Sequence, residues 1–160
     1  MASSRKHIVG LISDTHGLVR SDVHDALAGV ELILHAGDVG GQEILDELAL
    51  IAPVRAVFGN TDPEDSHGLV QEISITIGGV RVHVSHGHEV GSPSPAKLAE
   101  RYDADVLVYG HTHRQLVTHI GGRLVINPGA AGPRRFNLRP SVGRLTISGS
   151  EAGVEIVELV

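Results

Sequence analysis

Residues 7–16 read His7-Ile8-Val9-Gly10-Leu11-Ile12-Ser13-Asp14-Thr15-His16, an apolar run that stops at Ser13-Asp14. A short apolar run bounded by turn chemistry predicts a buried strand. Working outward, Ser21 to Ala28 reads as a helix, with Ser21 as its cap, Asp22 in its first turn and Gly29 beyond its end. Glu31 to His35 is the next strand, stopped by Gly37-Asp38, and Gly41 to Leu50 carries Ile44, Leu45 and Leu48 on one helical face. Val54 to Phe58 is a third strand, ending at Gly59-Asn60. Strands separated by helices of this length imply parallel pairing through crossovers.

The pattern then changes. Gln71 to Ile77 alternates Ile73, Ile75 and Ile77 with polar residues, and Gly78-Gly79 turns the chain into Val80 to Ser85. That is a hairpin signal. Pro93 to Tyr102 reads as a helix and Val106 to Tyr109 as a buried strand. Two more hairpins follow: Gln115 to Ile120 with Arg123 to Asn127, and Val142 to Ile147 with Val154 to Val160 across Ser148-Gly149-Ser150. The expected fold class is α/β, with two packed mixed β-sheets flanked by helices, and residues 1–160 form one domain.

Composition narrows the chemistry. The chain has no Cys, which excludes a disulfide framework, a zinc knuckle and a thiol nucleophile. Its net charge of −6 argues against a stable nucleic-acid complex. No apolar run approaches the ~20 residues of a membrane span. The opening Met1-Ala2-Ser3-Ser4-Arg5-Lys6 carries no apolar signal segment, so the expected location is the cytoplasm. Histidine is abundant, with 11 residues against two Tyr and two Phe, so the histidine positions carry the information.

Five polar constellations each follow a predicted strand: Asp14-Thr15-His16, Gly37-Asp38, Gly59-Asn60, His86-Gly87-His88 and His111-Thr112-His113. Ligands of open α/β sheets bind beyond the carboxyl ends of strands, so five segments can converge on one pocket. Short polar residues after strands also cap helices or make Asx-turns, the plain alternative for Asp14, Asp38 and Asn60 taken singly. Asp, Asn and His together supply donors that suit first-row divalent ions. Asp-x-His and His-x-His present alternate side chains on one side of an extended backbone. His35, inside a strand, reads as a hydrogen-bonded structural histidine, and no metal role is expected for His7, His24, His67 or His119.

Taken in order, Asp14/His16, Asp38, Asn60, His86 and His111/His113 resemble the calcineurin-like metallophosphoesterase superfamily from Ile8 to Asn127. The short chain and Asn127-Pro128-Gly129 resemble its small bacterial and archaeal phosphodiesterase subgroup, whose fold the retromer subunit Vps29 shares. The resemblance implies two divalent ions per chain, with manganese first and nickel, iron, cobalt or zinc behind it. One ion would take Asp14, His16 and His113; the other Asn60, His86 and His111; Asp38 would bridge them. It implies hydrolysis of a small phosphate ester, a diester by preference. A hydroxide held between the ions would attack phosphorus, and no other catalytic residue is needed. Many superfamily members have His after the Asn; here Gly59-Asn60-Thr61-Asp62 places Thr61 there. Asp62 is expected to orient the Asn60 loop, while His88, Arg134 and Arg135 are candidates for substrate contact. The rival reading is a Vps29-like, non-catalytic interaction module. Its mark would be broken ligands, and all seven are present. A superfamily nuclease is disfavoured by the acidic charge, and a single-zinc regulator would not need Asp38 and Asn60. Homo-oligomer formation stays open.

Overall fold

Alternation along the strands decides how the layers stack. In strand β1 (Lys6–Ile12) Val9 and Leu11 join one buried cluster while Ile12 joins another on the opposite face. Successive strand side chains must point opposite ways, so a strand apolar on both faces is sandwiched. The computed structural model, which describes residues 5–63, 68–135 and 137–160, shows what covers each face.

After β1 come α1 (Val23–Ala26), β2 (Leu32–His35), α2 (Gln42–Leu48) and β3 (Val54–Ala56). Then follow β4 (Glu72–Ile77), β5 (Val80–Ser85), a 3-10 turn at His88–Val90, α3 (Pro95–Arg101) and β6 (Val106–Val108). Four strands close the chain: β7 (Leu116–Ile120), β8 (Arg123–Asn127), β9 (Ser141–Ser148) and β10 (Glu151–Glu158). They form two five-stranded mixed sheets, ordered β10-β9-β1-β2-β3 and β4-β5-β6-β8-β7. β1, β2 and β3 run parallel, as do β5, β6 and β8. The expected hairpins β4–β5, β7–β8 and β9–β10 are antiparallel.

Val9, Leu11, Leu34, Val82, Val84, Val108, Ile126 and Leu145 fill the space between the sheets. Leu34 is wholly buried there, and its truncation to alanine is expected to cost about 2–5 kcal/mol. Val23, Leu27, Ile44 and Leu48 seal the outer face of the first sheet, and Leu98 and Ala99 of α3 cover the second against Leu107 and Val125. The order of layers is therefore helix, sheet, sheet, helix.

Several boundaries differ from the sequence reading. The helix expected over Ser21–Ala28 shrinks to Val23–Ala26, and the Asp22 carboxylate accepts the Val160 amide at 2.7 Å instead of capping it. The strand expected to Phe58 stops at Ala56, because Val57 bridges to Val70 and Phe58 donates to the Val70 carbonyl. The Pro93–Tyr102 helix begins at Pro95, where Ser94 accepts the Lys97 amide at 3.3 Å. In the last hairpin Ser148 pairs with Glu151, so Gly149-Ser150 alone makes the turn and the strand starts before Val154. Two-residue hairpin turns demand this register. His67 lies outside the described residues.

Candidate metal centre

The carboxyl ends of β1, β2, β3, β5 and β6 all deliver polar residues to one region. Their loops are stitched by the backbone. Asp14 and His16 donate amides to the carbonyls of Gly37 and Asp38, both at 2.9 Å, and Gly110 donates to the His86 carbonyl at 3.0 Å. Two glycines permit the close approach. A Cβ on Gly59 would collide with the backbone and carboxylate of Asp38, and one on Gly110 would collide with the Ser13 hydroxyl and Asp14.

Among the described residues, the non-glycine residues with positive φ are Asp14, His16, Asp38, His111 and His113, at 53°, 44°, 56°, 74° and 65°. Left-handed backbone at such residues costs on the order of 1–3 kcal/mol each, and it persists only where the surroundings impose it. All five belong to the seven residues singled out by the sequence.

The seven side chains meet. His113 Nε2 lies 3.4 Å from Asp14 Oδ1, and His16 Nε2 lies 3.3 Å from His113 Nε2. On the other side, Asn60 Oδ1 lies 3.0 Å from His86 Nε2 and 3.1 Å from His111 Nδ1. Asp38 Oδ2 stands between the two groups, 3.6 Å from His16 Nε2 and 3.3 Å from His86 Nε2. Its other oxygen accepts the Thr61 amide at 3.0 Å. Asp14 reaches further than expected, with Oδ1 at 3.9 Å from His86 Nε2 as well.

These donors suit a cation. Asp14 Oδ1 is buried and has no hydrogen-bond partner, whereas its Oδ2 accepts from the Ser13 hydroxyl at 2.6 Å and the His111 amide at 3.1 Å. A buried carboxylate oxygen without a hydrogen-bond partner, facing imidazole nitrogens, is a donor set suited to a metal ion. Two groups of donors, Asp14/His16/His113 and Asp14/Asp38/His86, lie close enough to share an ion.

Electrostatics point the same way. Burial alone would raise the Asp14 pKa, but His113, His16, His86 and the Ser13 hydroxyl outweigh it and hold the carboxyl well below the usual range. Asp38 likewise overcomes burial, chiefly through His86, and sits at about 2. Burial disfavours a charged His86, yet the Asp38 and Asp14 carboxylates raise its pKa above the ordinary histidine value. Burial and repulsion from His86 lower that of His111. Two ionised carboxylates in one buried cleft therefore attract protons or metal cations.

The supporting residues are equally defined. His35 is fully buried; its Nδ1 accepts the Gly37 amide at 3.1 Å and its Nε2 meets the Thr15 hydroxyl at 2.9 Å. That hydroxyl donates to the Val39 carbonyl, so His35 Nε2 carries the proton and the ring is structural, as expected. Asp62 accepts the amides of Val39, Gly40 and Gly59 at 3.0, 3.1 and 2.9 Å, tying the Asp38 and Asn60 loops together. The sequence reading gave no role to Ser13, Asn127 or Glu89. Asn127 donates to the Gly110 carbonyl and the Thr112 hydroxyl and accepts the Gly129 amide, which holds the His111–His113 loop. The Asn-Pro-Gly sequence was the available signal. Glu89 binds the Gly87 amide at 3.0 Å and the Tyr102 hydroxyl at 2.7 Å behind His86, and nothing in the sequence announces this. A separate hollow of about 380 Å³, lined by Leu45, Ala49, Val54 and Leu69, contains none of the seven.

Residues 8–150 match the sequence model of the calcineurin-like phosphoesterase superfamily domain. The chain belongs to the calcineurin-like phosphoesterase superfamily. Within this superfamily it is 36% identical over 160 residues to a probable metallophosphoesterase of Methanothermobacter thermautotrophicus, covering 94% of this chain and 91% of the relative. It is 29% identical over 139 residues to a protein of Methanocaldococcus jannaschii named as a phosphodiesterase, covering 76% of this chain and 82% of the other. Among solved structures, wild-type Vps29 of Entamoeba histolytica complexed with zinc superimposes with a TM-score of 0.77 at 27% identity, covering 94% and 98% of the two chains. The phosphoesterase fold and the phosphoesterase motif order thus agree.

Proposed function

We propose that this chain is a phosphodiesterase that works with two divalent ions. Asp14, His16 and His113 would hold one, Asn60, His86 and His111 the other, with Asp38 between them. When bound, such a pair supplies a hydroxide nucleophile at neutral pH and offsets charge on the phosphoryl group. The protein's part is orientation. His86 Nδ1 donates to the Ala36 carbonyl at 2.8 Å, which turns the Nε2 lone pair into the cleft. Ser13 and the His111 amide hold Asp14, and the Thr61 amide holds Asp38.

The observation that carries this reading is that, among the described non-glycine residues, left-handed backbone occurs at five of these seven and nowhere else. Strain of that kind is retained where a site requires it. No helix among the described residues is long and apolar enough to cross a membrane. We infer a small cytoplasmic phosphate ester as substrate, with manganese as the first metal to try.

The test is to strip the protein, reconstitute it with manganese, nickel, iron, cobalt or zinc, and count ions per chain. Turnover of a bis-nitrophenyl diester is then compared with that of the nitrophenyl monoester. Two ions and a preference for the diester are expected. A fully loaded protein without turnover would return the chain to the Vps29-like interaction module.

A further inference from the structure

The chain carries a net charge of −6, yet arginines gather at one edge of the centre. A hollow lined by His113, Arg134, Arg135 and Arg139 shares Arg134 and Arg139 with a groove of about 300 Å³ that also takes in Arg20 and Glu158. That volume is at the lower end for small-molecule sites. Glu158 is already engaged, 3.8 Å from Arg139 Nη1 and accepting from Gln115 Nε2 at 3.1 Å. Arg134 and Arg135 are exposed, and their guanidinium groups have no hydrogen-bond or ion-pair partner among the described residues.

The backbone fixes this edge to the centre. The Ala131 amide donates to the Ser13 carbonyl at 2.9 Å and the Gly132 amide to the Asp14 carbonyl at 3.3 Å. Arg134 follows Gly132 by two residues, at most about 7 Å of chain. Arg20 Nε donates to the Gly132 carbonyl at 3.0 Å, which anchors that arginine to the same segment. Surface solvation explains one unpaired arginine. It does not explain three arginines, Arg134, Arg135 and Arg139, in a hollow that His113 also lines, with Arg20 in the adjoining groove.

We propose that this groove receives a second phosphate of the substrate, so that the favoured substrate is a phosphodiester with a further phosphate on one arm. The inference rests on the phosphodiesterase reading above. A planar guanidinium fork matches a phosphate dianion in two parallel hydrogen bonds, which a plain diester arm cannot offer.

The experiment uses a nucleoside nitrophenyl phosphodiester with and without an additional phosphate on the sugar. The wild-type, metal-loaded protein should favour the phosphorylated form in kcat/KM by about tenfold or more, and added salt should shrink the ratio. Arg134→Gln/Arg135→Gln should bring the ratio close to one, whereas Arg101→Gln, on α3, should leave it unchanged. Equal ratios in wild type and double variant would overturn the proposal while leaving the phosphodiesterase reading intact. Calorimetry of a nucleoside bisphosphate with the metal-free protein decides the matter independently of turnover. Binding that weakens about tenfold or more in the double variant supports the groove even if no diester is hydrolysed; identical binding refutes it.

Discussion

His86 Nε2 and Asn60 Oδ1 face each other at 3.0 Å although, in the neutral ring, neither has a proton to share. The ring's one proton is committed at Nδ1 to the Ala36 carbonyl. His111 Nδ1 adds a third donor atom, 3.3 Å from His86 Nε2. Two lone pairs at that distance repel unless a cation or an extra proton lies with them. Metal removal should therefore destabilise the fold. At a metal concentration a hundredfold above Kd, binding stabilises by about 2.7 kcal/mol, which raises Tm by roughly 5–10 °C over the chelated protein. Differential scanning calorimetry with elemental analysis measures this. An unchanged Tm in protein shown to be metal-free would count against the centre.

Two aspartates in adjacent loops should respond differently. Asp38→Asn keeps the shape but removes the charge placed between His16 and His86, so it should lose the second ion and nearly all activity. Among the described residues the Asp62 carboxylate binds backbone amides, and an asparagine there has one acceptor oxygen for the three amides now bound. Asp62→Asn should weaken metal affinity by about 10–100-fold, with activity regained in excess metal. Metal titrations followed by turnover separate the two. Full occupancy and activity in Asp38→Asn would show that the ligand assignment is wrong.

The buried His35 predicts a pH dependence of stability. Burial, partly offset by the Asp14 carboxylate, lowers its folded-state pKa to about 4 from 6.5. Between those values the unfolded chain binds more protons than the folded one, so acidification favours unfolding. Stability is complete above pH 6.5 and is lost as pH falls toward 4, by about 3 kcal/mol from this residue. His83 and His111 are displaced in the same direction. Asp38, at about 2, acts only at lower pH. Denaturant unfolding of metal-free protein should show the slope, and His35→Gln should flatten it while metal binding is kept. An unaltered slope in the variant would assign the acid sensitivity elsewhere.

The two mixed sheets, the parallel early strands and the three hairpins were legible because they follow from local pattern, and the same pattern nominated the seven candidate ligands. Ile73, Ile75 and Ile77 alternate, and each polar cluster begins one to three residues beyond a strand. What escaped depends on distant partners. Ser21 resembles a helix cap in sequence, but the helix starts only at Val23, and the Asp22 carboxylate before it is taken by the Val160 amide. Glu89 sits in a polar stretch, and its part in holding Gly87 needs Tyr102, which reaches it from the far end of α3. The positive φ angles of Asp14, His16, Asp38, His111 and His113 arise from the meeting of loops, and no single segment encodes them.

Thr61 sets the last expectation. Its amide fixes Asp38 Oδ1 at 3.0 Å, but its exposed hydroxyl is no acid near neutral pH. Hydrolysis of a diester forms a phosphorus–oxygen bond to the nucleophile and breaks the one to the leaving group, whose alkoxide must acquire a proton. Without an acid beside it, the rate should depend steeply on leaving-group pKa, with nitrophenyl diesters favoured over simple alkyl esters. Thr61→His should restore an acid and speed the poorest leaving groups most, by no more than the roughly 10²–10⁴-fold of acid–base catalysis. His88 is the other candidate. Its ring centroid lies 5.4 Å from that of His86, and its Nδ1 is buried without a hydrogen-bond partner. Rates across a series of aryl and alkyl diesters, at equal metal content, give the slope for wild type, Thr61→His and His88→Gln. A shallower slope in Thr61→His identifies position 61 as the catalytic gap. Equal slopes for wild type and Thr61→His, with a steeper one in His88→Gln, would instead assign the proton to His88.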